Sequence, residues 1–150
     1  MAKSNAWQTD LLELLFNNTT VAGVGDTTGL VGSTGVGSLY VSLHTADPTA
    51  AGNQTSNETT YTGYARLAIA RTSGAWAVSG DSPATVSNAA IAIFNTCTGG
   101  SPSTITYVGV GTAVSGAGVL LYSGALASSL AVSNNISPTF NINQLVISED

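Results

Sequence analysis

The sequence predicts an all-β protein, a β-sandwich or jelly roll, with one N-terminal amphipathic helix and a Gly-rich arm. Three observations carry that expectation. From Leu39 onward, apolar residues recur at every second position in short runs, the period of a half-buried strand. The runs are separated by turn chemistry: Ser73-Gly74, Gly80-Asp81, Thr98-Gly99-Gly100, Ser115-Gly116 and Ser133-Asn134-Asn135. No helix-period segment stands between them, which argues against a parallel α/β sheet. About eight or nine short strands at this spacing suit two packed sheets.

Residues 1–20 hold the helix, expected from Asn5 to Asn17. Trp7, Leu11, Leu14 and Leu15 recur at helical spacing, with Leu12 and Phe16 alongside and Gln8, Asp10 and Glu13 opposite. Asn5 is the expected N-cap, with Gln8 as its reciprocal partner. The helix covers the sandwich or docks on a partner as an anchor. Trp7, Leu11 and Phe16 carry the contact in either case, since large apolar side chains dominate burial. Residues 21–38 read as an irregular arm rich in Gly, Thr and Val. Residues 39–150 form the β part of a single domain. Its strands are read at Leu39–His44, Tyr64–Arg71, Trp76–Ser79, Ala89–Phe94, Thr104–Gly111, Gly118–Ala125, Leu130–Val132, Ser137–Phe140 and Leu145–Ser148. The polar stretch from Thr49 to Thr60 reads as a long surface loop.

Composition narrows the function classes. Charged residues make up 7% of the 150, against about a quarter in an ordinary domain. The surface must then be mostly hydroxyls, amides and apolar atoms, which suits a subunit packed against copies or neighbours. Lys3, Arg66 and Arg71 are the only cations and the net charge is −5. Three scattered cations build no basic stripe, so nucleic acid is not an expected partner. No apolar run approaches the roughly 20 residues that cross a bilayer, and no signal-peptide core is read. Arg66 and Arg71 differ by five and so point to opposite faces. Each is expected to be paired, with Glu58, Asp47 or a neighbour's carboxylate, in bidentate geometry.

Chemistry has little to work with. His44 stands three residues before Asp47, but no Gly-x-Ser-x-Gly elbow accompanies them. The expected role of His44 is structural, at a strand end, donating into the following turn. A lone Cys97 and a lone His44 make neither a disulfide nor a zinc site. Asp47, Glu58, Asn53 and Asn57 offer hard oxygens without EF-hand spacing, so no metal and no cofactor is assigned. The sequons at Asn18, Asn53, Asn57 and Asn135 follow from an Asn/Ser/Thr-rich composition. The protein is not expected to be an enzyme.

Several segments together resemble a family of small structural proteins of tailed bacteriophages. They are Ser38 to Pro48 (with Leu-His-Thr-Ala-Asp-Pro the most specific part), Asn57-Glu58, Tyr61 to Arg66, Val86 to Ala90 and Leu120 to Leu126. The resemblance covers most of residues 5 to 150. Members are often labelled phage tail fibre proteins, and others of this size and layout resemble capsid cement, or decoration, proteins. The resemblance implies a virion component made in the host cytoplasm. The leading expectation is a cement protein on the capsid surface that binds and stabilises the major capsid protein shell. It would also associate with itself, as a dimer or trimer at symmetry axes. Against a fibre shaft stands the lack of repeats or of a coiled segment. The alternative is a tail fibre or tail-tip module that binds a receptor or carbohydrate, with Tyr61, Tyr64 and Trp76 as exposed stacking aromatics.

Overall fold

The computed structural model describes residues 2–80 and 83–149. It holds one helix, α1 (Asn5–Asn17), and nine strands: β1 (Ser38–His44), β2 (Leu67–Ala70), β3 (Trp76–Ser79), β4 (Ala84–Asn88), β5 (Ala92–Ile93), β6 (Ser103–Gly111), β7 (Leu120–Val132), β8 (Thr139–Phe140) and β9 (Val146–Glu149). The strands form sheets of order β2-β1-β6-β7, β3-β4-β9 and β5-β8. The protein is mostly β with antiparallel pairing and a single helix among the described residues, as its alternation predicts. The expected turn at Gly80-Asp81 lies partly outside the described residues.

The chain divides into two compact units. The first joins Met1–Ser38, Ala70–Ile91 and Phe140–Asp150. Here α1 packs on β3, β4 and β9. Its buried side chains are Gln8, Leu12 and Phe16, one per turn along a single stripe. That corrects the expected inward face, because Trp7, Leu11, Leu14 and Leu15 are only half-buried. The physical reason is that α1 lies over a strand whose amide needs an acceptor: Gln8 Oε1 takes the Ala84 amide at 3.2 Å. Phe16 meets the fully buried Trp76 edge-on, with ring centroids 4.9 Å apart. The N-cap is Ser4 rather than Asn5, and its hydroxyl accepts from the Trp7 amide at 3.3 Å.

β4, which period-two reading passed over, is the centre of this sheet. Ala84, Val86 and Asn88 point inward in strict alternation. Asn88 is buried and fully satisfied. Its Nδ2 donates to the carbonyls of Ala90 and Asn141 at 2.7 and 2.9 Å, and its Oδ1 accepts the Leu145 amide at 2.9 Å. The arm is likewise folded onto itself. Val21 and Leu30 form a β-bridge, Asp26 Oδ1 accepts the Thr28 and Gly29 amides, and Asn18 holds Ser33 through both of its side-chain polar atoms. Gly29 is required here, since a Cβ would lie 2.0 Å from the Val21 carbonyl oxygen and its φ is +73°.

The second unit joins Leu39–Ile69 and Ala92–Thr139. β1 runs antiparallel to β6, with Leu43 opposite Val108 and His44 opposite Tyr107. Val41 and Leu43 fill one face of β1, while Ser42 and His44 are buried on the other. β6 and β7 form a long hairpin in which Ile105 faces Leu130 but Tyr107 faces Ala125. Residues 126–129 therefore bulge out opposite Thr106 alone. The sequence break expected between Ala125 and Leu130 is this bulge within one strand.

Candidate functional site

The polar loop after β1 is a structural floor as much as a surface. Thr59 donates its amide to Leu43 O and Thr45 to Asn57 O, both at 2.9 Å, so the loop returns along β1 and Glu58 bridges to His44. Gln54 and Thr59 are buried, which corrects the expectation of a wholly exposed loop from Thr49 to Thr60. Its polar side chains are inside because they satisfy backbone groups of other strands.

Glu58 receives Arg66 as a two-bond fork: Nε to Oε1 and Nη2 to Oε2, each 2.7 Å. The Arg66 side chain is 3% exposed and Glu58 13%. Two further guanidinium hydrogens go from Nη1 to Ala113 O at 2.9 Å and from Nη2 to Gly116 O at 2.7 Å. Tyr64 completes the cluster, its hydroxyl donating to Glu58 Oε1 at 2.8 Å and accepting the Leu43 amide at 3.1 Å. A buried ion pair is tolerated only when its donors find acceptors, and every nitrogen of the Arg66 guanidinium has one.

Gln54 works from the other side of the same loop. Its Oε1 accepts the Ala113 amide at 2.8 Å, its Nε2 donates to Tyr40 O at 3.3 Å, and its backbone amide donates to Ala117 O at 2.8 Å. Gly111 and Gly118 leave the room it needs, since a Cβ at either would lie 2.2 or 2.3 Å from the Gln54 amide group. Thr112 and Val119 close the β6–β7 connection, Thr112 N donating to Val119 O at 3.1 Å and Val119 N to Thr112 Oγ1 at 3.0 Å. Residues 112–119 are thus held rigidly from beneath. The loop carries no charge, yet exposes Val114 at 63% and Val119 at 61%. Such a platform suits burial against a neighbouring surface.

His44 sits nearby with no route to a substrate. Ser56 O can only accept, so Nδ1 carries the proton across their 2.8 Å contact, and Nε2 accepts from the Ser42 hydroxyl at 2.8 Å. Both side chains are fully buried, and burial lowers the His44 pKa below its ordinary 6.5. The oxygens of Asp47 and Asn53 cap local turns, through Thr49 and Thr55. Among the described residues no cluster of metal-ligating side chains occurs.

The other candidates from sequence scatter. Arg71 meets carbonyls rather than a carboxylate, which corrects its expected ion pairing. Its Nε and Nη2 donate to Leu15 O and Leu14 O at 2.6 Å, and Nη1 donates to Ser33 Oγ at 3.0 Å. It supplies the cation that the last turn of α1 itself lacks. Phe16 is wholly internal, while Trp7 and Leu11 keep part of their surface. The stacking platform of the sugar-binding alternative is not formed. Trp76 is fully buried, Tyr61 is 5% exposed with its hydroxyl on Asn95 O, and Tyr64 is spent on Glu58 and on stacking with Phe94. Burial pushes the Tyr61 phenol up to about 12. Sequence reasoning missed Gln54, Val114 and Val119. Low cation content pointed to Arg66, but nothing local ties Gln54 to residue 113.

A family model described as Podophage GP4 fiber I protein gp80 matches residues 2–148. The chain belongs to this family. Since the match spans nearly all of it, both units are family structure. The protein is a structural component of a bacteriophage virion, of a fibre-type family rather than an enzyme class. Among the described residues no helix is long and apolar enough to cross a membrane. No curated protein matches the chain.

Proposed function

We propose that this protein is a subunit of a podophage tail fibre and acts through packed, uncharged contacts. The observation that carries the reading is the fibre-protein family match over residues 2–148. The rigid loop at 112–119 supports it as the kind of surface such a contact uses. Its backbone is fixed by Arg66 and Gln54, so docking loses little conformational entropy. Capsid cement is the second reading, favoured by a charge-poor chain without shaft-like repeats. In that reading the partner is the major capsid protein. Mass spectrometry of purified particles, giving copies per major capsid subunit, separates them. A handful per particle, with immunogold label at the tail, supports the fibre assignment. A ratio near the capsid subunit count, with label over the shell, would replace it with cement.

A further inference from the structure

We propose that His44 is an acid-sensitive latch on the loop at 112–119, opened when its ring takes up a proton. The geometry that points to this is where the imidazole is tied. Its Nδ1–H donates to Ser56 O at 2.8 Å, and Ser56 stands midway between Gln54 and Glu58. Gln54 holds the loop through the Ala113 amide and Ala117 O. Glu58 holds it through Arg66, which reaches Ala113 O and Gly116 O. The backbone of Glu58 also bridges to His44 itself. One ring therefore fastens the short segment that carries both anchors of the loop.

The closed site has no place for a second ring proton. Nε2 is an acceptor, taking the Ser42 hydroxyl at 2.8 Å. Once protonated it becomes a donor aimed at that hydroxyl, whose own hydrogen must then find another acceptor. The space beside them is filled: a Cβ at Gly109 would lie 2.8 Å from Nε2, 2.9 Å from Ser42 Oγ and 2.7 Å from Leu120 Cδ1. No countercharge is free either. The charged groups that act on the ring are Glu58 and Arg66. Both Glu58 oxygens are engaged, by Arg66 and by the Tyr64 hydroxyl, and the guanidinium repels a second cation. Tyr107, opposite His44 on β6, offers a phenol rather than a carboxylate. The charged ring is accommodated by opening segment 53–58 to water, which solvates the cation and frees both loop anchors together.

The latch goes beyond the fibre assignment, and only its consequence, a docking loop loosened by acid, rests on that reading. The two fail separately: one is read from the isolated protein, the other from particles. The test is amide hydrogen exchange by NMR from pH 7 to 5, corrected for the intrinsic exchange rate. An opening that takes up one proton becomes about tenfold easier per pH unit below the ordinary His value of 6.5. Protection of the Gln54 and Ala113 amides, bonded to Ala117 O and Gln54 Oε1, should fall on that slope. The Phe94 amide, bonded to Pro138 O at 2.9 Å in the same unit, should not follow it. His44→Gln should remove the slope at both loop amides. In the unaltered chain the ring signal is unambiguous, since His44 is the only histidine. A ring that titrates while Gln54 and Ala113 stay protected would overturn the proposal. So would a slope shared by Phe94 or retained in His44→Gln.

Discussion

Replacing Glu58 by Gln tests whether the ion pair beneath the 112–119 loop carries the fold it touches. The substitution keeps the side chain's size and leaves Arg66 without its countercharge at a site where the guanidinium is 3% exposed. Two charge-assisted bonds of 2.7 Å lose their ionic character, and the Tyr64 hydroxyl loses a carboxylate acceptor. Breaking one partner of a buried pair costs about 3–5 kcal/mol, most of it the orphaned charge. At about 2–4 °C per kcal/mol for a chain of this size, the melting temperature should fall by roughly 10 °C. The assay is thermal unfolding by circular dichroism on Glu58→Gln, Arg66→Met and the double variant. The double variant has no buried charge left and should be less destabilised than the two single losses added together. A Glu58→Gln protein within about 0.5 kcal/mol of the parent would refute the reasoning, since the pair would then be no better than a surface salt bridge.

Two more predictions concern the imidazole and the helix end. His44 is held neutral when folded and has a pKa below its ordinary 6.5. The unfolded chain therefore binds a proton that the folded one refuses as pH falls below 6.5, and stability must drop across that window. Melting temperatures measured from pH 7 to 5 should show this slope, and His44→Gln should flatten it. Arg71→Met removes three donors, two of them on the Leu14 and Leu15 carbonyls at 2.6 Å. The loss should be about 2–3 kcal/mol, seen as an earlier melt in which the helical signal near 222 nm, the usual helix band, leads the sheet signal.

What was legible in the sequence had a strong local period. Ser38–His44 alternates large apolar residues and became β1, one residue from its expected start. The break after Ala125 was visible because Ser128-Ser129 interrupts the alternation, although pairing with β6 resumes beyond it as one strand. β4 was hidden because Ala84-Thr85-Val86-Ser87-Asn88 is small and polar, the composition of a turn. Its inward Asn88 is acceptable only through partners at residues 90, 141 and 145. The helix was legible as a helix but not in rotation. Leucines occur around much of its circumference, so the inward stripe was decided by the Ala84 amide and by Trp76. Arg66 was expected to be paired because cations are so few, with Glu58, Asp47 or a neighbour's carboxylate, and it meets Glu58. Gln54 could not be found that way, since its value depends on Ala113, 59 positions away.

The three cationic side chains are all engaged within their own chain: Lys3 with Glu149, Arg66 with Glu58, and Arg71 with the end of α1. None is left to offer a neighbour. Contacts made through the charge-free loop at 112–119 should therefore be nearly indifferent to ionic strength, because screening acts on charges that face across an interface. Washing particles in concentrated salt would strip charge-held components and leave this one in place. Urea, which weakens apolar and backbone contacts alike, would be the agent that releases it.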